Sequence, residues 1–442
     1  MTIRFKDIVV IGFALFAMFF GAGNLIFPPY IGVTSGTKWF IGFIAFLFAD
    51  GGLALLGVVA LTRTGGDMKQ LFTRAGKFIG IAIGTLMLLC IGPFLAIPRT
   101  AAVTLEIGAK PLLGGAVSPV IFAIIFFIVV FVLTIRPSKV VDIVGAFLTP
   151  ALIICLAVLI IKGIVNPINQ PLNRVLVDNV FVSGINDGYQ TMDAMAACIF
   201  AGVIISSVMQ KGYTEKKSMV KATILAGIVA VIGLALVYGG LTYLGSTVSS
   251  QFNADVERTE LVIFITQAIL GEPGKVVLAI IVTLACLTTA IGLTSSCGNY
   301  FRDLSHGKIK YEVTVVAVCI FSGVVSVLGV DQIIKVAGPI LGMIYPAVVT
   351  YIFLGLANDK IKNNNIFRLA IFVALVLGIV SVLPDIQVFA KFTGLVEAVK
   401  AMKHWPGGSF GFFWIVPVVI AGVIGKFIPC RSCRQHKISA KA

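Results

Sequence analysis

The run FFGAGNLIFPP, from Phe19 to Pro29, places Gly21, Ala22, Gly23 and Asn24 ahead of Pro28 and Pro29 inside an otherwise apolar stretch. Glycine and proline weaken or break a helix. Opened backbone in hydrocarbon leaves polar groups unsatisfied at several kcal/mol each, and is tolerated where it lines a water-filled or ligand-filled cavity. Free N–H groups at a half-helix N-terminus suit a carboxylate. Free carbonyls at the facing C-terminal end suit an ammonium group or a bare Na⁺. A zwitterionic amino acid plus a cation satisfies both sets. A second apolar run, GYQTMDAMAACIFAG from Gly188 to Gly202, carries Asp193 beside Thr191 and Met192. A charge at mid-membrane costs about 2.5–3.5 kcal/mol on insertion scales, so it faces a cavity or a partner. The competing reading starts this span later and leaves Asp193 as an interfacial cap.

Two more charged residues lie in apolar runs. Asp50, in FLFADGGLALLG, is either a proton or cation site or the structural partner of a basic residue such as Arg99. Arg99 follows Pro98 in AIPRT; it either snorkels to the interface or forms an outer gate with a carboxylate. Pro93 and Pro98 predict a kink in that run. Catalysis finds little support. His306, His404 and His436 all fall in expected loops or the tail, no His/Glu cluster sits in an apolar run, and no Gly-Lys-Ser/Thr phosphate loop occurs. An enzyme and an ATP-driven pump are both disfavoured.

The elements that position these residues follow from composition. Of 442 residues 58% are hydrophobic and 12% charged, with a mean hydropathy of +1.05, against about half and a quarter in soluble chains. Apolar runs of roughly 20 residues without dyad alternation indicate an all-α polytopic membrane protein. We expect twelve transmembrane helices, at about 8–35, 39–61, 77–101, 118–135, 140–162, 188–209, 219–245, 274–300, 313–329, 333–357, 366–383 and 411–429. No small-residue cleavage site follows the first run, so no cleavable signal peptide is expected. The longest connectors, about 163–187, 246–273 and 384–410, leave no room for a soluble domain.

With the N-terminus inside, the cytoplasmic loops hold 23 of the 34 Lys and Arg residues and the other side holds 11. The positive-inside rule then puts both termini in the cytoplasm, and the net charge of +15 is a topology signal that needs no nucleic acid. Cys90, Cys155, Cys198, Cys286, Cys297 and Cys319 lie in apolar runs and read as small buried hydrophobes. Cys430 and Cys433 form a lone CxxC, read as reduced thiols rather than a metal site. The two odd runs are the first and the sixth. An offset of five reverses orientation, and a pair of interrupted segments at corresponding positions is the pointer to an inverted repeat and its binding site. That placement favours alternating access over a channel for small solutes.

The segments GFALFAMFFGAGNLIFPPYIG, IGPFLAIPRTAAVTLE (Ile91 to Glu106), GYQTMDAMAA and LACLTTAIGLTSS (Leu284 to Ser296) closely resemble the branched-chain amino acid:cation symporter family. These are the BrnQ-like carriers of branched-chain amino acid transport system II, in the amino acid–polyamine–organocation superfamily. The resemblance implies the leucine-transporter fold, with two inverted five-helix repeats and discontinuous helices one and six. It implies a first repeat over 1–162, a second over 163–357, and two peripheral helices with a cytoplasmic tail over 358–442. It implies import of leucine, isoleucine and valine with a coupling ion, Na⁺ before H⁺, across a bacterial inner membrane, with the lipid bilayer as surroundings and no other cofactor. Another neutral amino acid is the alternative substrate.

Residue by residue, the substrate set is Gly21, Ala22, Gly23, Asn24, Thr191, Met192 and Asp193. In ACLTT, Ala285, Thr288 and Thr289 match the spacing of an alanine and two hydroxyl residues around Na⁺ in sodium symporters of that fold. The matching helix-one carbonyls come from Ala17 and Phe20. Asp193 has no obvious counterpart in those symporters.

Overall fold

The computed structural model describes residues 3–66, 68–114, 117–135, 139–385, 391–402 and 404–429; the CxxC of Cys430 and Cys433 lies outside them. The helices in chain order are α1 (Phe5–Phe19), α2 (Ala22–Ser35), α3 (Trp39–Leu47), α4 (Leu53–Arg63), α5 (Met68–Thr73), α6 (Lys77–Leu89), α7 (Ala96–Val103), α8 (Lys110–Leu113), α9 (Pro119–Ile135) and α10 (Lys139–Val165). They continue with α11 (Val180–Thr191), α12 (Asp193–Gln210), α13 (Lys216–Ser246), α14 (Arg258–Leu304), α15 (Tyr311–Ser326), α16 (Val330–Leu356), α17 (Asn364–Val382), α18 (Thr393–Met402) and α19 (Ile415–Phe427). No β-strand occurs among the described residues, and the apolar runs of the sequence are predominantly helical. Six helical stretches are long and apolar enough to cross a membrane on their own; α11 with α12 makes a seventh when its bent parts are taken together. Ile121, Ile124, Ile161, Ile320, Val324 and Val423 are exposed on the outer helices, an apolar surface suited to lipid rather than water.

Both expected breaks are present. The α1 helix stops because Phe20 (φ −78, ψ 102) and Gly21 (φ −124, ψ −168) are extended. The second break is a single residue, Met192, in the left-handed region (φ 66, ψ 14) between α11 and α12. That conformation costs a non-glycine residue about 1–2 kcal/mol, so the packing around Met192 must over-determine it. Asn179 caps α11 by accepting from the N–H groups of Phe181 (3.0 Å) and Val182 (3.2 Å).

Glycines bring the broken helices against their neighbours. A Cβ on Gly32 would collide with the Thr242 carbonyl, and one on Gly245 with the Pro29 carbonyl, so α2 and α13 meet backbone to backbone. A Cβ on Gly188 would sit 2.6 Å from that of Ala49, which locks α11 onto the turn after α3. That turn, Phe48–Gly52, is π-helical and contains Asp50. Such bulges insert an extra residue into a helix and recur at functional sites.

Two features depart from the sequence reading. The connector at 246–273 is helical from Arg258, and α14 runs on through a break at Gly271 (φ 70, ψ −168). Leu261, Val262, Ile265 and Ile269 form its buried stripe, a helical period inside what looked like a loop. The kink in the third span sits at Gly92 (φ −93, ψ −124), just ahead of Pro93. Pro98 lies in the first turn of α7, where a missing N–H leaves no helical bond unmade.

Candidate functional site

The two breaks face each other, and Asn24 joins them. Its Nδ2 donates to Asp193 Oδ2 at 2.9 Å, reaches Asp50 Oδ2 at a long 3.4 Å, and contacts the Tyr238 hydroxyl. Its Oδ1 accepts the Gly21 N–H at 3.1 Å, which ties the side chain to its own break. Thr191 completes the cluster by donating its hydroxyl to Asp50 Oδ1 at 2.7 Å. Four helical segments therefore meet at one amide: α2, the π-turn after α3, the α11–α12 junction and α13. All five residues are buried, Asp50 at 0% exposure and Asp193 at 6%.

The interfacial-cap reading of Asp193 fails, because the residue opens α12 inside the break and is bonded to Asn24 across it. Asp50 is not paired with Arg99. Arg99 instead donates from Nη2 to the Gln190 carbonyl at 2.7 Å, on the last turn of α11, where a cation complements the helix dipole. It does not snorkel, since it is 3% exposed, and its Nη1 has no hydrogen-bond partner among the described residues. Above it, Arg258 pairs with Asp331 at 3.2 Å and lies 3.9 Å over the ring of Tyr30 and 5.5 Å over that of Phe27. Arg99 shares the Phe27 ring at 5.8 Å. The arginines thus close one end of the site over two aromatic rings.

The remaining substrate-set residues divide. Gly23 faces the second break, a Cβ there lying 3.5 Å from Thr191 Cα. Gly21 and Ala22 lie at the first break, half-buried. The Met192 side chain packs away with Met195 and Ala194 in the apolar core, so its part in the site is its backbone.

For the cation set, the Gly21 N–H bonds to Asn24 rather than to Ala17, which leaves the Ala17 carbonyl without its helical donor. Thr288 and Thr289 both donate to the Ala285 carbonyl, at 2.9 and 3.0 Å. The hydroxyl lone pairs stay free to accept a cation. Both hydroxyls thus bond back to their own helix, the geometry of the competing structural reading, and α14 packs against α2.

Tyr238 was not anticipated. It lies mid-way along an apolar helix, where a buried phenol needs a partner, and that requirement was the signal available. Among the described residues no group of three or more His, Cys, Asp or Glu could hold a metal. The six cysteines in apolar runs are buried, as expected.

The structure resembles that of Mhp1, a nucleobase-cation-symport-1 family transporter in a closed conformation with bromovinylhydantoin bound, with a TM-score of 0.56 at 14% identity over 89% of this chain and 90% of that one. It also resembles MhsT in complex with L-phenylalanine, with a TM-score of 0.53 at 15% identity over 83% and 98% of the two chains. At such identity the likeness establishes the fold, that of the leucine transporter. In sequence, the chain is 36% identical to the branched-chain amino acid permease BraB of Bacillus subtilis, covering 95% of each. It is 36% identical to the branched-chain amino acid transport system 2 carrier protein of Pseudomonas aeruginosa, again over 95% of each. It is 33% identical to the permease BrnQ of Escherichia coli over 99% of each. Residues 4–431 match the family described as branched-chain amino acid transport protein, so the chain belongs to that family of membrane carriers and is not an enzyme.

Proposed function

We propose that this protein is a secondary active symporter that imports leucine, isoleucine and valine with Na⁺ by alternating access. In this reading it sits in a bacterial inner membrane with both termini in the cytoplasm, and 1–162 and 163–357 are its inverted repeats. The observation that carries the reading is the Asn24 bridge between two facing helix breaks. A substrate that separates the breaks takes over the hydrogen bonds Asn24 now makes. Its carboxylate goes to the N–H groups of Ala22 and Gly23 at the start of α2, and to that of Gly21 once Asn24 Oδ1 releases it. Its ammonium goes to Asp193 and to carbonyls around Thr191 and Met192. Na⁺ binds the carbonyls of Ala17, Phe20 and Ala285 and the hydroxyls of Thr288 and Thr289, clamping α1 to α14.

Coupling supplies enough energy. One Na⁺ moving down 100 mV yields about 2.3 kcal/mol. A tenfold gradient adds about 1.4 kcal/mol, so accumulation of several hundredfold is within reach. One observation favours H⁺ as a second reading: Asp50 and Asp193 are buried at one amide, and neither forms an ion pair among the described residues. Leucine uptake into proteoliposomes under an imposed Na⁺ gradient, and separately under an imposed H⁺ gradient, tests both. Uptake driven by neither gradient refutes symport.

A further inference from the structure

A cavity of about 740 Å³ opens beside α11. Its walls come from α11, α16, α17, α18 and the turn before α19, and none of Asn24, Asp50, Thr191, Asp193 and Tyr238 lines it. The volume lies within the range of small-molecule sites, about 300–1,000 Å³.

Two independent features mark it as a binding site. Asp187 projects from α11 into this lining at 9% exposure, and its Oδ2 is buried with no hydrogen-bond partner among the described residues. A buried carboxylate oxygen without a donor is costly, and retaining one beside a cavity leaves a place for a donor that arrives from outside. The opposite wall is apolar, with Met402, Phe413 and Trp414 contributing side chains, Met402 and Trp414 each only 5% exposed. Among the described residues no Lys, Arg or His contributes to the lining, whereas Asp178 and Asp187 both do, so its described charge favours a cation. Arg258, which pairs with Asp331, does not line the cavity.

We propose that this cavity is a second binding site, separate from the substrate site, for a primary ammonium compound with a compact apolar body and no carboxylate. The ammonium donates to Asp187, and the apolar body lies against Trp414, Phe413 and Met402.

The test uses 3-methylbutylamine, the amine that leucine would give on losing its carboxylate. Binding to the purified full-length protein is measured by calorimetry with and without saturating leucine. The expected result is one amine bound per protein with affinity unchanged by leucine, and no binding of 3-methylbutanol, which lacks the ammonium. Asp187→Asn should weaken amine binding at least about tenfold, the loss of one charge-assisted hydrogen bond. Ser183→Trp, which places an indole in the cavity, should weaken it as much. Absent amine binding, displacement by leucine, or unchanged affinity in either variant overturns the proposal. Should Asp187→Asn fail to purify as a monodisperse protein, Ser183→Trp decides alone. The two variants report on the cavity whatever solute the central site carries, so failure here is distinguishable from failure of the leucine reading.

Discussion

Gly23 separates two roles that a glycine at a helix break can play, and a pair of substitutions tells them apart. Its backbone is helical and its φ is not positive, so no conformational reason demands glycine. A Cβ built there meets Phe27 Cε2 and Thr191 Cα, both at 3.5 Å, which is ordinary contact. Gly23→Ala therefore fits and gains helix propensity of up to about 1 kcal/mol. Gly23→Leu adds three more carbons directed at the α11–α12 junction, where the Thr191 backbone already stands at contact. Overpacking of this kind costs about 1–3 kcal/mol, and here the strain falls on the approach of the two breaks. That energy corresponds to roughly a 5- to 150-fold loss in leucine uptake efficiency. The assay is initial-rate uptake in proteoliposomes, with protein quantified after extraction to show that insertion is intact. Gly23→Ala should transport near the wild-type rate and Gly23→Leu should fall by roughly 5- to 150-fold. Equal loss in both variants would mean that a single Cβ already blocks the site, and normal transport in Gly23→Leu would refute the close approach of the two breaks during transport.

Asp193→Asn keeps the volume and the bond from Asn24 but removes the charge, so uptake should fall at least about tenfold with insertion unchanged; a normal rate with normal ion dependence would sink the role assigned to it. Thr289→Ala removes one hard-oxygen ligand and should raise the Na⁺ concentration for half-maximal uptake several-fold, with leucine affinity at saturating Na⁺ nearly unaltered; unchanged sodium dependence in both Thr288→Ala and Thr289→Ala would remove the cation site from α14. Arg99→Gln loses the 2.7 Å charge-assisted bond to the Gln190 carbonyl, worth about 1.5–3 kcal/mol, and should lower the thermal midpoint in detergent; a midpoint equal to wild type would show that the bond contributes nothing.

How far the sequence could be read depended on whether a residue's chemistry clashed with its surroundings. Asn24 and the neighbouring glycines stood out because they interrupt hydrophobic helix, and the structure breaks there. Asp193 stood out because charge is costly in hydrocarbon, although only the packed structure separates a cavity residue from an interfacial cap. Asp50 gave the same alarm, but its partner was misjudged. Arg99 lay in the next span and looked available, whereas the π-turn at Phe48–Gly52 rotates Asp50 toward Thr191 and Asn24. A one-residue bulge leaves little trace in composition. Tyr238 was silent for a different reason, since one phenol in a long apolar helix is ordinary until its hydroxyl is traced to Asn24. The sequence reading starts this span at 274 because the apolar stripe from Arg258 is interrupted by Thr and Gln and followed by Gly271 and Pro273.

Charge balance carries the coupling argument further. Asp50 and Asp193 bring two carboxylates to one neutral amide, and among the described residues no ion pair reaches either. A zwitterionic substrate brings no net charge. A Na⁺ held by Thr288, Thr289 and the α1 carbonyls is bound by neutral oxygens alone and leaves the carboxylate pair to be matched separately. Buried Arg99, its Nη1 without a hydrogen-bond partner among the described residues, supplies one positive charge at this end of the site, and the pair leaves room for a second, a proton or a cation travelling with each substrate. Asp50→Asn removes one carboxylate while keeping an acceptor for Thr191, so the variant should carry one positive charge fewer per leucine. One charge is worth about 2.3 kcal/mol across 100 mV, so steady-state accumulation at that potential should drop by about fortyfold, while the sodium concentration for half-maximal uptake should stay where it was. Charge per leucine is read from reversal potentials in proteoliposomes. An unchanged ratio in Asp50→Asn would show that the carboxylate pair takes no part in coupling, and would leave the ions on α14 to account for all of it.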